Sequence, residues 1–270
     1  MRVWHLDSLS ANVKVLPGNS HTISGARTRQ SWVADVAVND RKPRGTMTTI
    51  TAILFDHDGT LVDSECSHFE MWASVLLPYG ITLTEEEYIR QHAGIPTPAN
   101  AANIVDKYSL KIAPSVLMEA KNSATQSFLS RQAFPLATGA RESIDFFSQK
   151  DIKLAIVTGA GREGVNATVM ANSFEDKFHV IVCGDDVDNS KPSADCYLLA
   201  IQRLAVNASE CIAIEDSENG IAAAVSAGIP CIAISTPMSK HHDLSKAMKI
   251  FATLHEAKAW IAENHMLSPR

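Results

Sequence analysis

Asp56 and Asp58 stand two residues apart at the end of the apolar run Ala52-Ile53-Leu54-Phe55. On an extended chain, side chains two apart share a face, so both carboxylates are expected to point the same way. Their repulsion opposes this unless a cation neutralises one and the other titrates. The pair can then divide the labour, one as nucleophile and one as general acid/base. Gly59-Thr60 allows a sharp turn directly afterwards. Asp-x-Asp-Gly can also open a calcium loop, but here it follows a buried-type strand and no further liganding acids continue the loop pattern. His57, between the two acids, is expected to point away from them and has no chemical role on this reading.

These acids need elements to position them. From Met47 onward, short apolar runs alternate with helix-like segments. Lys153-Leu154-Ala155-Ile156-Val157 ends in Thr158, Val180-Ile181-Val182-Cys183 in Gly184, Cys211-Ile212-Ala213-Ile214 in Glu215-Asp216, and Cys231-Ile232-Ala233-Ile234 in Ser235. Runs without polar alternation suit strands buried on both faces of a parallel sheet. Helices are expected at Gly139 to Ser148, Pro192 to Leu204 and Gly220 to Ala227, the last stopped by Gly228. The pattern predicts an α/β fold, a doubly wound parallel sheet of Rossmann-like type. In open α/β sheets ligands bind outside the carboxyl ends of the strands. Asp56, Thr158, Glu215 and Asp216 are therefore expected to converge on one crevice. Each has a plainer reading: a threonine after a strand is commonly a turn residue, Glu215-Asp216 can cap the following helix, and Lys191 taken alone is a solvated charge. Asp185, Asp186 and Asp188 are expected in a solvated loop.

The stretch between the first two strands is too long for a simple crossover. Ser67 to Leu77, Thr84 to His92, Pro98 to Lys107 and Pro114 to Leu129 read as helices, with Phe69, Trp72, Val75 and Leu76 at helical spacing. Residues 67–134 are thus expected to form a helical cap over a core made of 47–66 and 135–270. A cap in that place excludes water and chooses the substrate.

Composition bounds the function classes. Hydrophobic residues make up 46% and charged residues 20%, with a net charge of -6. This is globular usage, and a mildly acidic chain is poorly suited to nucleic acid or anionic membrane. The best apolar stretch, Ile221 to Ile234, is broken by Gly228 and Pro230 and is too short to span a bilayer. Cys66, Cys183, Cys196, Cys211 and Cys231 show no Cys-x-x-Cys spacing and read as buried reduced thiols of a cytoplasmic protein. Residues 1–46 differ, with seven basic and three acidic residues and no core pattern. They are expected to be a disordered extension or to lie upstream of a working start at Met47.

Asp56-His57-Asp58-Gly59-Thr60-Leu61-Val62-Asp63-Ser64 resembles the first signature of the haloacid dehalogenase-like hydrolase superfamily. Val157-Thr158-Gly159 resembles the second, Ser190-Lys191-Pro192 the third, a basic residue opening a helix, and Ile214-Glu215-Asp216-Ser217-Glu218-Asn219-Gly220 the fourth. Four pieces in order, each at a strand end or helix start, form a specific match. The resemblance implies a haloacid dehalogenase-like core with an inserted cap. It implies that Asp56 attacks phosphorus to form an aspartyl-phosphate. Asp58 would protonate the leaving alcohol and then deprotonate water. Thr158 and the amides after it would hold the phosphoryl oxygens, and Lys191 would neutralise charge. Magnesium would be held by Asp56, the Asp58 carbonyl and Asp216, with Glu215 direct or through water. Gly59, Thr60, Gly159 and Ala160 would stand beside the substrate. These roles agree with what phosphoryl transfer requires, positioning plus charge neutralisation.

Asp58 separates subclasses. The dehalogenases of this superfamily lack an acid there, and its transport ATPases carry threonine and need membrane spans. The phosphonate-cleaving relatives use a cap lysine, but Lys107, Lys111 and Lys121 all lie far beyond Ser64. Ser67-His68-Phe69-Glu70-Met71-Trp72 resembles a piece of β-phosphoglucomutase caps that sugar-phosphate phosphatases also carry. Trp72 is read as cap core. The mutase pattern has an arginine soon after a cap glycine to clamp a second phosphate; in Gly94-Ile95-Pro96-Thr97 a threonine stands there, and a hydroxyl does not replace a bidentate clamp. The expectation is a phosphatase for a small phosphorylated metabolite, a sugar phosphate, acting as a monomer or weak homodimer. His68, Gly94 and Thr97 are the expected cap contacts. A non-catalytic binding scaffold would be expected to have lost Asp56, Asp58 or the acidic pair, and all are present.

Overall fold

The computed structural model describes residues Thr49 to Leu267; the expectation for residues 1–46 lies outside them. Six parallel strands form the central sheet: β2 (Ala52–Phe55), β3 (Lys153–Val157), β4 (Val180–Val182), β5 (Cys211–Glu215), β6 (Cys231–Ile234) and β7 (Lys249–Phe251). Their order is β4-β3-β2-β5-β6-β7. The strand carrying Asp56 is thus central, paired in register with β3 through Phe55 and Ile156 and with β5 through Phe55 and Ile214. A separate short pair joins β1 (Thr49–Ile50) to β8 (Met266–Leu267).

Strand alternation divides the core into two layers. Ile53, Phe55, Leu154, Ile156, Ile212, Ile214, Ile232 and Ile234 face α5 (Ala140–Ser148), α6 (Arg162–Asn172) and α9 (Leu254–Asn264). The intervening Ala52, Leu54, Ala155, Val157, Cys211, Ala213, Cys231 and Ala233 face α7 (Asp195–Leu204) and α8 (Glu218–Ser226). Large residues thus fill one side of the sheet, while small ones let α7 and α8 approach the other. Both faces are dry, which is why the strands read as continuous apolar runs. The fold is a doubly wound α/β sheet, as expected.

Between β2 and β3 stand α1 (Glu65–Leu76), α2 (Glu85–Gln91), α3 (Thr97–Lys107) and α4 (Pro114–Leu129). They enclose an apolar cluster of their own, with Trp72, Leu76, Tyr88, Ile104 and Leu117 buried in it. Trp72 is part of that cluster and also borders the cavity described below.

Three local expectations are corrected. The helix α7 begins at Asp195, not Pro192, because Ser190 to Ser193 closes a turn through the Ser193 amide and Ser190 carbonyl. Lys191 therefore sits in a turn and does not open a helix. The helix α8 begins two residues before Gly220, capped by the Ser217 hydroxyl, which accepts from the Gly220 amide at 3.1 Å; Glu215 and Asp216 are not its cap. Cys66 is exposed on α1, while Cys183, Cys196, Cys211 and Cys231 are buried and free. Among the described residues, no helix is long and apolar enough to cross a membrane.

Candidate active site

A cavity of about 650 Å³ lies over the carboxyl ends of β2, β3 and β5, closed from above by the four inserted helices. Asp56, Asp58, Thr158, Gly159, Ala160, Lys191 and Asp216 line it from the sheet side, and His68, Gly94 and Thr97 line it from the inserted helices. Glu215 lies beneath, wholly buried. The expected convergence of strand ends is what the fold produces.

The chain does not stay extended beyond Asp56. The Leu61 and Val62 amides donate to the His57 carbonyl and the Gly59 amide to that of Val62, so the chain turns at once. Alternation fails there, and His57 does not point away from the acids as expected. Its Nδ1 lies 3.3 Å from Asp58 Oδ2 and its Nε2 lies 3.0 Å from Thr168 Oγ1 on α6. From the other side, His68 Nε2 lies 3.6 Å from Asp58 Oδ1. Burial raises the Asp58 carboxyl, but the two imidazoles outweigh it and hold the group well below the usual carboxylate range.

Lys191 gathers the deeper carboxylates. Its Nζ donates to Asp56 Oδ1 at 2.5 Å, to Glu215 Oε1 at 2.6 Å and to the Val157 carbonyl at 2.8 Å. Tyr197 of α7 donates its hydroxyl to the same Glu215 oxygen at 2.7 Å. Burial works against the Lys191 ammonium, yet Asp56 and Glu215 hold it above the ordinary lysine range.

One ammonium does not balance three carboxylates. Asp56, Glu215 and Asp216 each offer an oxygen within 4.8 Å of the others, all buried. Burial and the Glu215 charge push Asp56 up to about 7 in spite of Lys191. Burial, Asp56 and Glu215 push Asp216 well above its ordinary value. The cluster is short of positive charge, and its donors are hard oxygens. Both features fit a magnesium ion. The Asp58 side chain is not part of that cluster.

Gly59 and Thr60, expected beside the substrate, do not line this cavity; the turn carries them to a smaller neighbouring cavity. Gly59 has φ +80°, and a Cβ there would overlap the Asp216 carboxylate. Glycine is needed for both reasons. Thr158 Oγ1 accepts from the Ala160 amide at 3.0 Å, which shapes the loop after β3. Asp185 accepts from the Arg162 amide at 3.2 Å and Asp186 from the Cys183 amide at 2.8 Å, while Asp186 also pairs with the Arg162 side chain.

Sequence reasoning did not place Lys121 at the cavity. On α4 it is 2% exposed, lines the cavity, and lies 3.2 Å from His68 Nδ1 and 2.9 Å from Thr125 Oγ1. Burial pushes its ammonium down to about 8. No local motif marks it, because α4 brings it to His68 across 53 positions.

The arrangement is one of buried carboxylates, a shared lysine and a loop of amides under a helical insert. The profile of haloacid dehalogenase-like hydrolases matches residues 53–234, more than half of the chain. The chain belongs to that family, and within it to the β-phosphoglucomutase and sugar-phosphate phosphatase-like branch. It is 34% identical over 183 residues to the phosphorylated carbohydrates phosphatase of Thermotoga maritima, covering 66% of this chain and 82% of that one. It is 29% identical to the fructose-1-phosphate phosphatase of Escherichia coli, covering 67% of this chain and 94% of that one. CbbY of Rhodobacter sphaeroides, solved in complex with phosphate, aligns with a TM-score of 0.69 at 27% identity, over 77% of this chain and 96% of that one.

Proposed function

We propose that the protein is a magnesium-dependent phosphatase that hydrolyses a small phosphorylated metabolite, a sugar phosphate, through a phosphate ester of Asp56. The enzyme is a phosphoric monoester hydrolase by family. The observation that carries the finer reading is the Asp56 carboxylate, facing the cavity with Lys191 Nζ at 2.5 Å and Glu215 and Asp216 beside it. Phosphatases of carbohydrate phosphates among its relatives support the substrate class.

Asp56, Glu215 and Asp216 would hold magnesium, with the Asp58 carbonyl as a further ligand; once bound, the ion supplies the missing positive charge and keeps Asp56 ionised. Asp56 attacks phosphorus in line with the leaving alcohol. Lys191 neutralises charge on the nucleophile and on the transferring group, as a point charge suited to phosphate. Thr158 and the Gly159 and Ala160 amides orient the phosphoryl oxygens. Asp58 delivers a proton to the alcohol and then takes one from the attacking water. Its neighbours His57 and His68 favour its ionised form, the form that takes a proton from water; the proton gained in that step is the one Asp58 gives to the alcohol of the next turnover. The inserted helices act as a cap that excludes water from the first half, with His68, Gly94 and Thr97 as contacts for the sugar.

Thr97 opens α3 at the cavity wall where a mutase would need a phosphate-clamping arginine. This supports hydrolysis over phosphoryl return to a second sugar position. A panel of phosphorylated sugars, assayed for released phosphate with and without a chelator, tests the reading. Chelator-sensitive release from a sugar monophosphate is expected. Metal-independent turnover, or interconversion of sugar phosphates dependent on a bisphosphate, would overturn it.

A further inference from the structure

Glu65, the first residue of α1, is a buried carboxylate for which the proposed reaction has no use. It is 8% exposed and borders the cavity. Its two oxygens are taken by groups from a different part of the insert. The Tyr88 hydroxyl of α2 donates to Oε2 at 2.6 Å, and the Gly94 amide donates to Oε1 at 3.3 Å. Tyr88 is itself 2% exposed. Burying a carboxylate without a cation is costly and is offset only by such hydrogen bonds. An apolar residue would serve packing alone at lower cost.

The bonded groups share one destination. Tyr88 lies three residues before the end of α2, and Gly94 lies in the segment that follows; Gly94, Ile95, Pro96 and Thr97 line the same cavity as Asp56. That segment is also held by Asn100 on both sides of Gly94: Asn100 Nδ2 donates to the His92 carbonyl at 2.8 Å and to the Ile95 carbonyl at 3.1 Å. Glu65 holds the Gly94 amide between those two points. It is also only nine positions after Asp56, so it connects that wall to the turn that carries the catalytic acids.

We propose that Glu65 is a positioning residue: through Tyr88 and the Gly94 amide it holds the Gly94–Thr97 wall at a set distance from the phosphoryl site, and so sets discrimination among phosphorylated substrates. The inference rests on the phosphatase reading for its consequence in catalysis, and on geometry alone for the tie itself. A substrate with no sugar to contact the wall, such as p-nitrophenyl phosphate, draws little binding energy from it.

Two variants test the tie, Glu65→Gln, which keeps the shape, and Tyr88→Phe, which removes one hydroxyl and leaves the ring in the apolar cluster. Hydrogen exchange of the amides between Ala93 and Thr97 is expected to speed about tenfold in each, the equivalent of one lost buried hydrogen bond. For the best sugar phosphate of the panel, KM is expected to rise about tenfold with kcat held within about twofold. For p-nitrophenyl phosphate, kcat/KM is expected to stay within about twofold. The double variant is expected to be no worse than the more damaged single variant, because both cut one network. Unchanged exchange in both single variants, or equal losses on the two substrates, would overturn the proposal. If no sugar phosphate is turned over, the phosphatase reading fails, and the exchange measurement still decides the tie.

Discussion

Lys121 shows what burying a single charged side chain costs. Burial lowers its ammonium from an ordinary 10.5 to about 8. The folded value is below the unfolded one, so between about pH 8 and 10.5 the unfolded chain binds more protons and stability rises with pH. Below that window the cost is fully present, about 3 kcal/mol at the usual conversion. Lys121→Met is therefore expected to raise the melting temperature at pH 7, by an amount that shrinks towards pH 10, and to weaken use of sugar phosphates. Thermal unfolding across that range checks it; a variant less stable than the parent at pH 7 would contradict the assignment of cost to the buried charge. At this scale the sequence was a good guide where chemistry is local. Asp56, Asp58, Thr158, Lys191, Glu215 and Asp216 each end a strand or occupy a recognisable piece, and all meet at one place. It was a poor guide where tertiary packing decides. The contacts of His57 with Asp58 and Thr168, Tyr197 with Glu215, and Lys121 with His68 depend on neighbours 1, 111, 18 and 53 positions apart, three of them beyond any local pattern.

The site depends on junctions between elements. Glu215 ends β5 and is pressed against the start of α8, where a Cβ on Gly220 would overlap its carboxyl group. Gly220→Ala must displace Glu215, and with it a bond to Lys191 and one to Tyr197. Breaking a buried charge pair is expected to cost about 3 kcal/mol or more, with a higher magnesium requirement in the surviving activity. Chemical denaturation and metal titration of the same variant check both halves; parental stability and metal requirement together would show that Glu215 does not need its place. The strands were legible because burial on both faces leaves an unbroken apolar run. The edge strand β7 was not, being three residues long and mostly exposed. Helices α6 and α9 were missed as well: α6 contains Gly164 and only a few apolar positions, so its periodicity is weak.

Among the described residues, those lining the cavity lie between Asp56 and Asn219. A chain beginning at Met47 is expected to keep its melting temperature and turnover, and a clear loss of either would mean that residues 1–46 contribute to the working protein. On the proposed mechanism Asp56 forms a covalent bond to phosphorus and Asp58 helps water to break it, so the two steps can be separated. Asp58→Asn keeps the nucleophile but lacks the base for the water, and loss of a general acid/base typically costs ~10²–10⁴-fold in the step it serves. With p-nitrophenyl phosphate the leaving group needs little help, so the first step should survive. The most direct measurement is therefore rapid mixing of Asp58→Asn with p-nitrophenyl phosphate and magnesium, acid quench, and intact and peptide mass analysis. A burst of nitrophenolate near one equivalent is expected, then a stall with one phosphoryl group on Asp56. Turnover at the parent rate, or a phosphoryl group on any other residue, would contradict the proposed mechanism.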